Sequence, residues 1–184
     1  MIGVIQMLYL TEANFQFSAE LESFKSEILL YDAGNEDQFA GCMGLRDAPS
    51  AENWIRLCNL RKNPATCEQT GTNVPSTTYF AIRESDRRLV GVIDLRHHID
   101  HPILSVWGGH TGYSVRPSER GRGYAKEMLR LNLQNAEAMG IPRILVTCSE
   151  KNLASEKTIL ANGGVFERFV EVDGTRIKRY WLDL

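Results

Sequence analysis

Between Gly112 and Leu129 the chain reads GYSVRPSERGRGYAKEML, a segment that begins like a strand and ends like a helix. At its centre Arg120, Gly121, Arg122 and Gly123 place two guanidiniums and two glycines in consecutive positions. Glycine inside a helix costs about 1 kcal/mol relative to alanine, so glycines at a helix start point to a backbone that something must approach closely. The arginines point to an anion. A helix N-terminus adds unpaired N–H groups and roughly half a positive charge, which suits a phosphate or diphosphate.

The elements around this turn can be read from periodicity. MLYL, within an apolar start running from Ile2 to Leu10, reads as a first strand. Phe17, Leu21, Phe24 and Ile28 recur at helical spacing over residues 14–30, and AENWIRLCNLRK over residues 51–62 reads as a second helix. Residues 31–50 and the stretch up to Pro75 read as loops. TTYFAIR and LVGVIDLR form a hairpin, HTGYSV (110–115) is the next strand, and a long helix follows the glycines until Gly140. RILVTCS (143–149) is a strand buried on both faces, LASEKTILAN is a helix, and the chain ends in a hairpin turning at Asp173-Gly174. The expected architecture is a single α+β domain over residues 1–184, layered in the α/β manner. A central mixed, mostly antiparallel sheet is flanked by helices, with one parallel β-α-β crossover over residues 110–149.

Three anion-binding patterns compete for the turn. A P-loop needs Gly-Lys-Ser/Thr, which is absent, and a dinucleotide fingerprint needs a third glycine where Lys126 stands. The pattern [RQ]-x-x-G-x-[GA] is matched by Arg120-Gly121-Arg122-Gly123-Tyr124-Ala125 at every fixed position. On this segment, and on Asn152-x-x-Ser155 at the next helix start, the chain resembles the GNAT superfamily of acyl-CoA N-acyltransferases over about Thr77 to Gly164. The stretches VPSTTYF, GGHTGYSVRPSERG and RYW are similar to a bacterial subgroup of predicted acetyltransferases.

The resemblance implies an N-acetyltransferase that uses acetyl-CoA as co-substrate and transfers the acetyl group directly to a primary amine in a ternary complex. The alternative it leaves open is a non-catalytic acyl-CoA-binding sensor. It implies that Arg120, Gly121, Arg122, Gly123, Tyr124 and Ala125 hold the pyrophosphate. Ser114 and Val115, with Tyr113 beside them, would meet the pantetheine arm on a bulged strand that splays from its neighbour, and Gly112 would permit the bulge. Asn152 and Ser155 would reach the same arm, although an Asn in this position also serves as a helix cap. The acceptor would lie between the N-terminal helices, the loop at 63–76 and the final hairpin with Tyr180 and Trp181.

An alkylamine is deprotonated in only about one molecule per thousand at neutral pH, so a base is wanted. His110 is the first candidate, Glu119 the second and Asp94 the third. Many superfamily members place a proton-donating Tyr seven residues after the Asn, whereas this chain has Ile159 there. Cys148 reads as a small buried hydrophobe rather than a nucleophile.

Composition sets the outer limits. The chain has 184 residues with 43% hydrophobic, 24% charged and a net charge of −2, which suits a globular domain and gives no field for nucleic acid or an anionic membrane. No apolar run reaches the roughly 18 residues of a membrane span, and the start lacks a basic leader. Four scattered cysteines fit a reduced, cytoplasmic setting. His97, His98 and His101 in HHIDH lack a second ligand pair, so no metal is expected. Expected partners are a small-molecule amine or a protein or peptide amine. The resemblance adds homodimer formation as an option.

Overall fold

The computed structural model describes residues 7–35 and 37–184. The part of the expected first strand that precedes Met7 lies outside the described residues. Seven strands form two sheets. In the first, β1 (Leu8–Glu12), β2 (Ser76–Arg83), β3 (Leu89–Arg96) and β4 (Tyr113–Val115) stand in chain order. In the second, β5 (Arg143–Ser149) and β6 (Val165–Val172) flank β7 (Thr175–Asp183). Every registered pair is antiparallel.

Helices α1 (Ser18–Tyr31) and α2 (Ala51–Arg61) cover one face of the first sheet. Their Phe24, Ile28, Trp54 and Ile55 pack on Phe80 and Ile82 of β2 and on Leu89 and Val92 of β3. Leu89 and Val92 are three residues apart and would face opposite ways in a regular strand. A register shift opposite Ala81 and Ile82 absorbs the odd residue, so both reach this core. Helix α3 (Tyr124–Ala138) crosses the other face, where Tyr124 and Met128 meet Ala81, Val90 and Ile93. It continues onto the second sheet, joining α4 (Leu153–Leu160) over Ile144, Val146, Tyr180 and Leu182.

The two sheets meet at the junction of β4 and β5. The strand expected over 110–115 is regular only at Tyr113–Val115, because Asp94 interferes with the ladder. Its Oδ1 accepts the Gly112 N–H at 2.6 Å, while its carbonyl accepts from Thr111 Oγ1 (2.6 Å) and Asn132 Nδ2 (3.1 Å). The register itself holds, since the Asp94 and Arg96 N–H groups still donate to the Gly112 and His110 carbonyls. The expected bulge is therefore a side-chain substitution in the ladder rather than an inserted residue. The two strands of the expected crossover, β4 and β5, form no registered ladder with each other, so the seven strands divide into two sheets. Among the described residues no helix is long and apolar enough to cross a membrane.

Beyond β4 the chain is locked by Arg116, which is buried. Its Nε donates to the Leu89 carbonyl (2.9 Å), and its terminal nitrogens reach Ser23 Oγ (3.0 Å), the Glu20 carbonyl (3.0 Å) and the carboxylates of Glu20 and Glu27. One guanidinium thus fixes the end of β4 against α1 and sets where the next turn begins.

Candidate active site

The glycine-rich turn lies at the start of α3. Gly121 and Gly123 have φ of 77° and 83°. Gly123 caps α3 with no side-chain hydrogen bond, and the first intrahelical bond runs from the Glu127 N–H to the Gly123 carbonyl. A Cβ placed on either glycine would meet nothing within 4 Å. Their requirement is conformational on the protein side, and the space above them is open to a ligand.

That space is the end of a cavity of about 660 Å³ between the splayed strands. The splay closes at His110, whose N–H donates to the Leu145 carbonyl at 2.8 Å. The Leu145 N–H returns a bond to His110 Nδ1, also at 2.8 Å. From there β4 and β5 diverge, and Thr111, Tyr113, Ser114 and Val115 face Thr147 and Cys148 across the gap. Residues 94/112 and 90/116 bond across β3 and β4. By alternation the N–H and C=O groups of Tyr113 and Val115 therefore point to the open edge. The Val115 carbonyl accepts from Arg120 Nε at 3.2 Å.

Ser114, Val115, Arg120, Gly121, Gly123, Tyr124, Ala125, Asn152, Ser155 and Glu119 line this one cavity. Arg120 lines the cavity and Arg122 does not, and both guanidiniums are taken by acids. Arg120 binds both carboxylate oxygens of Asp32, the partner that raises its pKa, and Arg122 lies 3.1 Å from Glu119. Direct contact with an anion requires those partners to be exchanged. Asn152 caps α4 by accepting the Ser155 N–H at 3.0 Å, and its Nδ2 donates to Asp37 Oδ2 at 2.6 Å. Ser114 Oγ donates to the Ala40 carbonyl at 2.8 Å.

The proposed bases fare differently. His110 is buried in the latch between the sheets, outside the cavity lining. Burial, with smaller effects of Arg96 and His98, lowers its imidazole to about 4, and its Nδ1 already accepts a bond. It suits joining strands better than taking a proton. Glu119 is enclosed by Arg83 (2.7 Å), Arg88 (3.1 Å) and Arg122. Asp94 is committed to Gly112 and to Arg96 at 3.2 Å. Cys148 faces the cavity with its thiol pushed up to about 11, first by burial and then by Glu156, which suits an inert thiol. Ile159 is fully buried on the inner face of α4.

Tyr113 was expected at the arm, but its hydroxyl contact and several other cavity residues escaped sequence reading. Tyr113 projects its hydroxyl to within 2.8 Å of Ser155 Oγ. Burial raises that phenol to about 12. Lys126 and Lys157 add positive charge near the α3 turn. The wall opposite α4 is the loop after α1, with Asp32, Asn35, Asp37 and Ala40. Gly41 allows that loop to lie on β4, since a Cβ there would sit 2.2 Å from the Gly112 carbonyl oxygen. Tyr180 is buried instead, donating to Glu156 at 2.6 Å, and Trp181 stacks under Arg143. Among the described residues no group of His, Cys, Asp and Glu gathers as a metal site, and all four cysteines are free.

Comparison with known proteins fits this geometry. A search of curated proteins found no match. A solved structure titled RimL, a ribosomal L7/L12 alpha-N-protein acetyltransferase in complex with coenzyme A, has 18% identity and a TM-score of 0.66, covering 100% of this chain and 97% of that one. An acetyltransferase from Salmonella typhimurium, described as modifying the N-terminal serine of ribosomal protein L7/L12, has 17% identity and a TM-score of 0.64, with 96% and 95% covered. The microcin C7 self-immunity acetyltransferase MccE, solved with acetyl-CoA and AMP, has 14% identity and a TM-score of 0.65, with 96% and 92% covered. These likenesses show the fold. Residues 47–165 match the family described as acetyltransferase (GNAT) domain. The chain belongs to the GNAT acetyltransferase family and is an acetyl-CoA-dependent acyltransferase.

Proposed function

We propose that this protein is an N-acetyltransferase that moves the acetyl group of acetyl-CoA directly onto a primary amine. The observation that carries this reading is the cavity running from the uncapped start of α3 into the gap between β4 and β5. The diphosphate sits over Gly121 and Gly123 against the first N–H groups of α3, with Lys126 and Lys157 adding charge. The arm runs along the open edge of β4, where Tyr113 and Val115 present backbone groups, and reaches Asn152 and Ser155. Acetyl-CoA supplies the activated thioester, and the remaining work falls to side chains and backbone. The Gly112 N–H is taken by Asp94, so the Tyr113 N–H is the donor left to face the developing oxyanion.

In the transfer, the amine nitrogen loses one proton and gains the acetyl carbon. The C–S bond breaks, and sulfur keeps the electron pair and takes a proton. Tyr113 and Ser155 form a hydroxyl pair in the gap, and a phenol raised to about 12 is protonated at neutral pH. This pair replaces the Tyr that the family pattern would place at Ile159. Replacing Tyr113 with Phe is expected to lower kcat about tenfold, with Ser155 and water supplying the rest, and to change acetyl-CoA affinity less than about threefold. Equal kcat for both proteins would remove Tyr113 from the reaction. Solved relatives described as acting on the N-terminus of a ribosomal protein and in microcin self-immunity support protein and small-molecule amines alike as acceptors. Thiol release from acetyl-CoA, measured across a panel of peptides, amino acids, polyamines and amino sugars, tests the reading. Amine-dependent release supports it, and its absence with every amine class would sink it.

A further inference from the structure

A second, polar cavity of about 410 Å³ adjoins the first and is lined by Gly34, Asn35, Asp37, Ser149, Lys151 and Asn152. The two share Asn35, Asp37 and Asn152. The larger cavity holds the α3 turn and the lysines facing it, so it is the end suited to an anion. The smaller one opens between the loop after α1 and the β5–α4 turn. There the Glu150 N–H donates to the Arg176 carbonyl, which brings the final hairpin to the same mouth.

The acids around these cavities differ in one respect. Asp32 is held by Arg120, Glu119 by three arginines, and Glu150 by Arg176 at 2.8 Å. Asp37 has a neutral side-chain partner, the Asn152 amide, and among the described residues it forms no ion pair. Its charge is felt by Tyr113 and Cys148, so it faces the groups that line the gap. Lys151 also lines the smaller cavity but forms no ion pair with Asp37, so a carboxylate held by a neutral amide stands where the two cavities join, and it is suited to a cation.

We propose that the smaller cavity receives the acceptor and that Asp37 binds its ammonium group, so that the acceptors are alkylamines carrying positive charge at neutral pH. This rests on the reading of the larger cavity as the acetyl-CoA site. Asp37 accepts the hydrogen bonds of the ammonium and holds it beside the gap; one proton passes to solvent before the neutral nitrogen attacks, and the second, lost as the bond to the acetyl carbon forms, is balanced by the proton that the sulfur takes. Asn152 couples the two sites. When its amide turns to the pantetheine arm, Asp37 is freed for the amine, so acetyl-CoA binds first.

The test compares wild type, Asp37→Asn and Asp37→Glu on two amines of similar size, tyramine and 4-methoxyaniline. The first is cationic at pH 7.5 and the second is neutral, as their alkyl and aryl nitrogens dictate. Acetyl-CoA affinity is measured separately by calorimetry. Asp37→Asn is expected to lower kcat/KM for tyramine about tenfold or more, mainly through KM, with the arylamine little changed. Acetyl-CoA affinity should stay within about threefold, and Asp37→Glu should keep the preference for tyramine. An equal fall for both amines, an unchanged tyramine kcat/KM, or a wild type that binds acetyl-CoA but does not favour tyramine would overturn the assignment. A wild type that fails to bind acetyl-CoA would overturn the proposed function beneath it.

Discussion

Replacing Gly123 with Val is expected to weaken acetyl-CoA binding by about 100-fold or more while leaving a folded protein. Two effects add. Gly123 has φ of 83°, and a β-branched residue in that region is strained by about 1–2 kcal/mol or more. The loop relieves that strain by moving, which misaims the first N–H groups of α3. The side chain also projects into the space that the diphosphate would fill. No protein atom lies within 4 Å of the new Cβ, so packing is not the cause of the loss. Calorimetric titration with acetyl-CoA, alongside circular dichroism, separates binding from folding. Native-like affinity in a folded Gly123→Val protein would remove the turn from the binding site.

Replacing Arg116 with Ala is expected to cost about 3–5 kcal/mol of stability. The guanidinium is 1% exposed and serves the Leu89 and Glu20 carbonyls, Ser23 and two carboxylates. Its loss takes a donor from each of these acceptors, leaving Glu20 with the Leu89 N–H and Glu27 with the Ser118 N–H, and opens a void between β4 and α1. For a chain of this size each kcal/mol shifts Tm by roughly 2–4 °C, so a drop of about 6 °C or more is expected in thermal unfolding. Arg116→Met, which refills the space, should recover only part of it. A change below about 1 kcal/mol would mean that the network is not the tie between β4 and α1.

What sequence could reveal follows from range. The glycine turn, α3, α4 and the final hairpin are local patterns and were legible as such. The cap made by Asn152 spans three residues and was legible too. The partners that define the cavity are distant. Arg120 meets Asp32 across 88 positions, and Asn152 meets Asp37 across 115. A loop rich in Gly, Asp and Asn gives no sign of which strand it will cover, so Asp37 was hidden in it. Tyr113 could be placed beside the arm, but the partner of its hydroxyl, Ser155, lies 42 positions on. His110 drew attention as a base because of its residue type. Its true partner is a backbone N–H on β5, 35 positions away, which no spacing rule encodes. The shortened β4 has a similar origin, since Asp94 competes through its side chain for a bond that the backbone would otherwise make.

Calorimetric titration of the wild-type protein with acetyl-CoA, with ATP and NAD as controls, tests the central claim most directly. The cavity over Gly121 and Gly123 predicts binding at micromolar concentration, with ATP and NAD much weaker because neither carries a pantetheine arm to run along β4. Absence of acetyl-CoA binding, or equal binding of ATP, would contradict it.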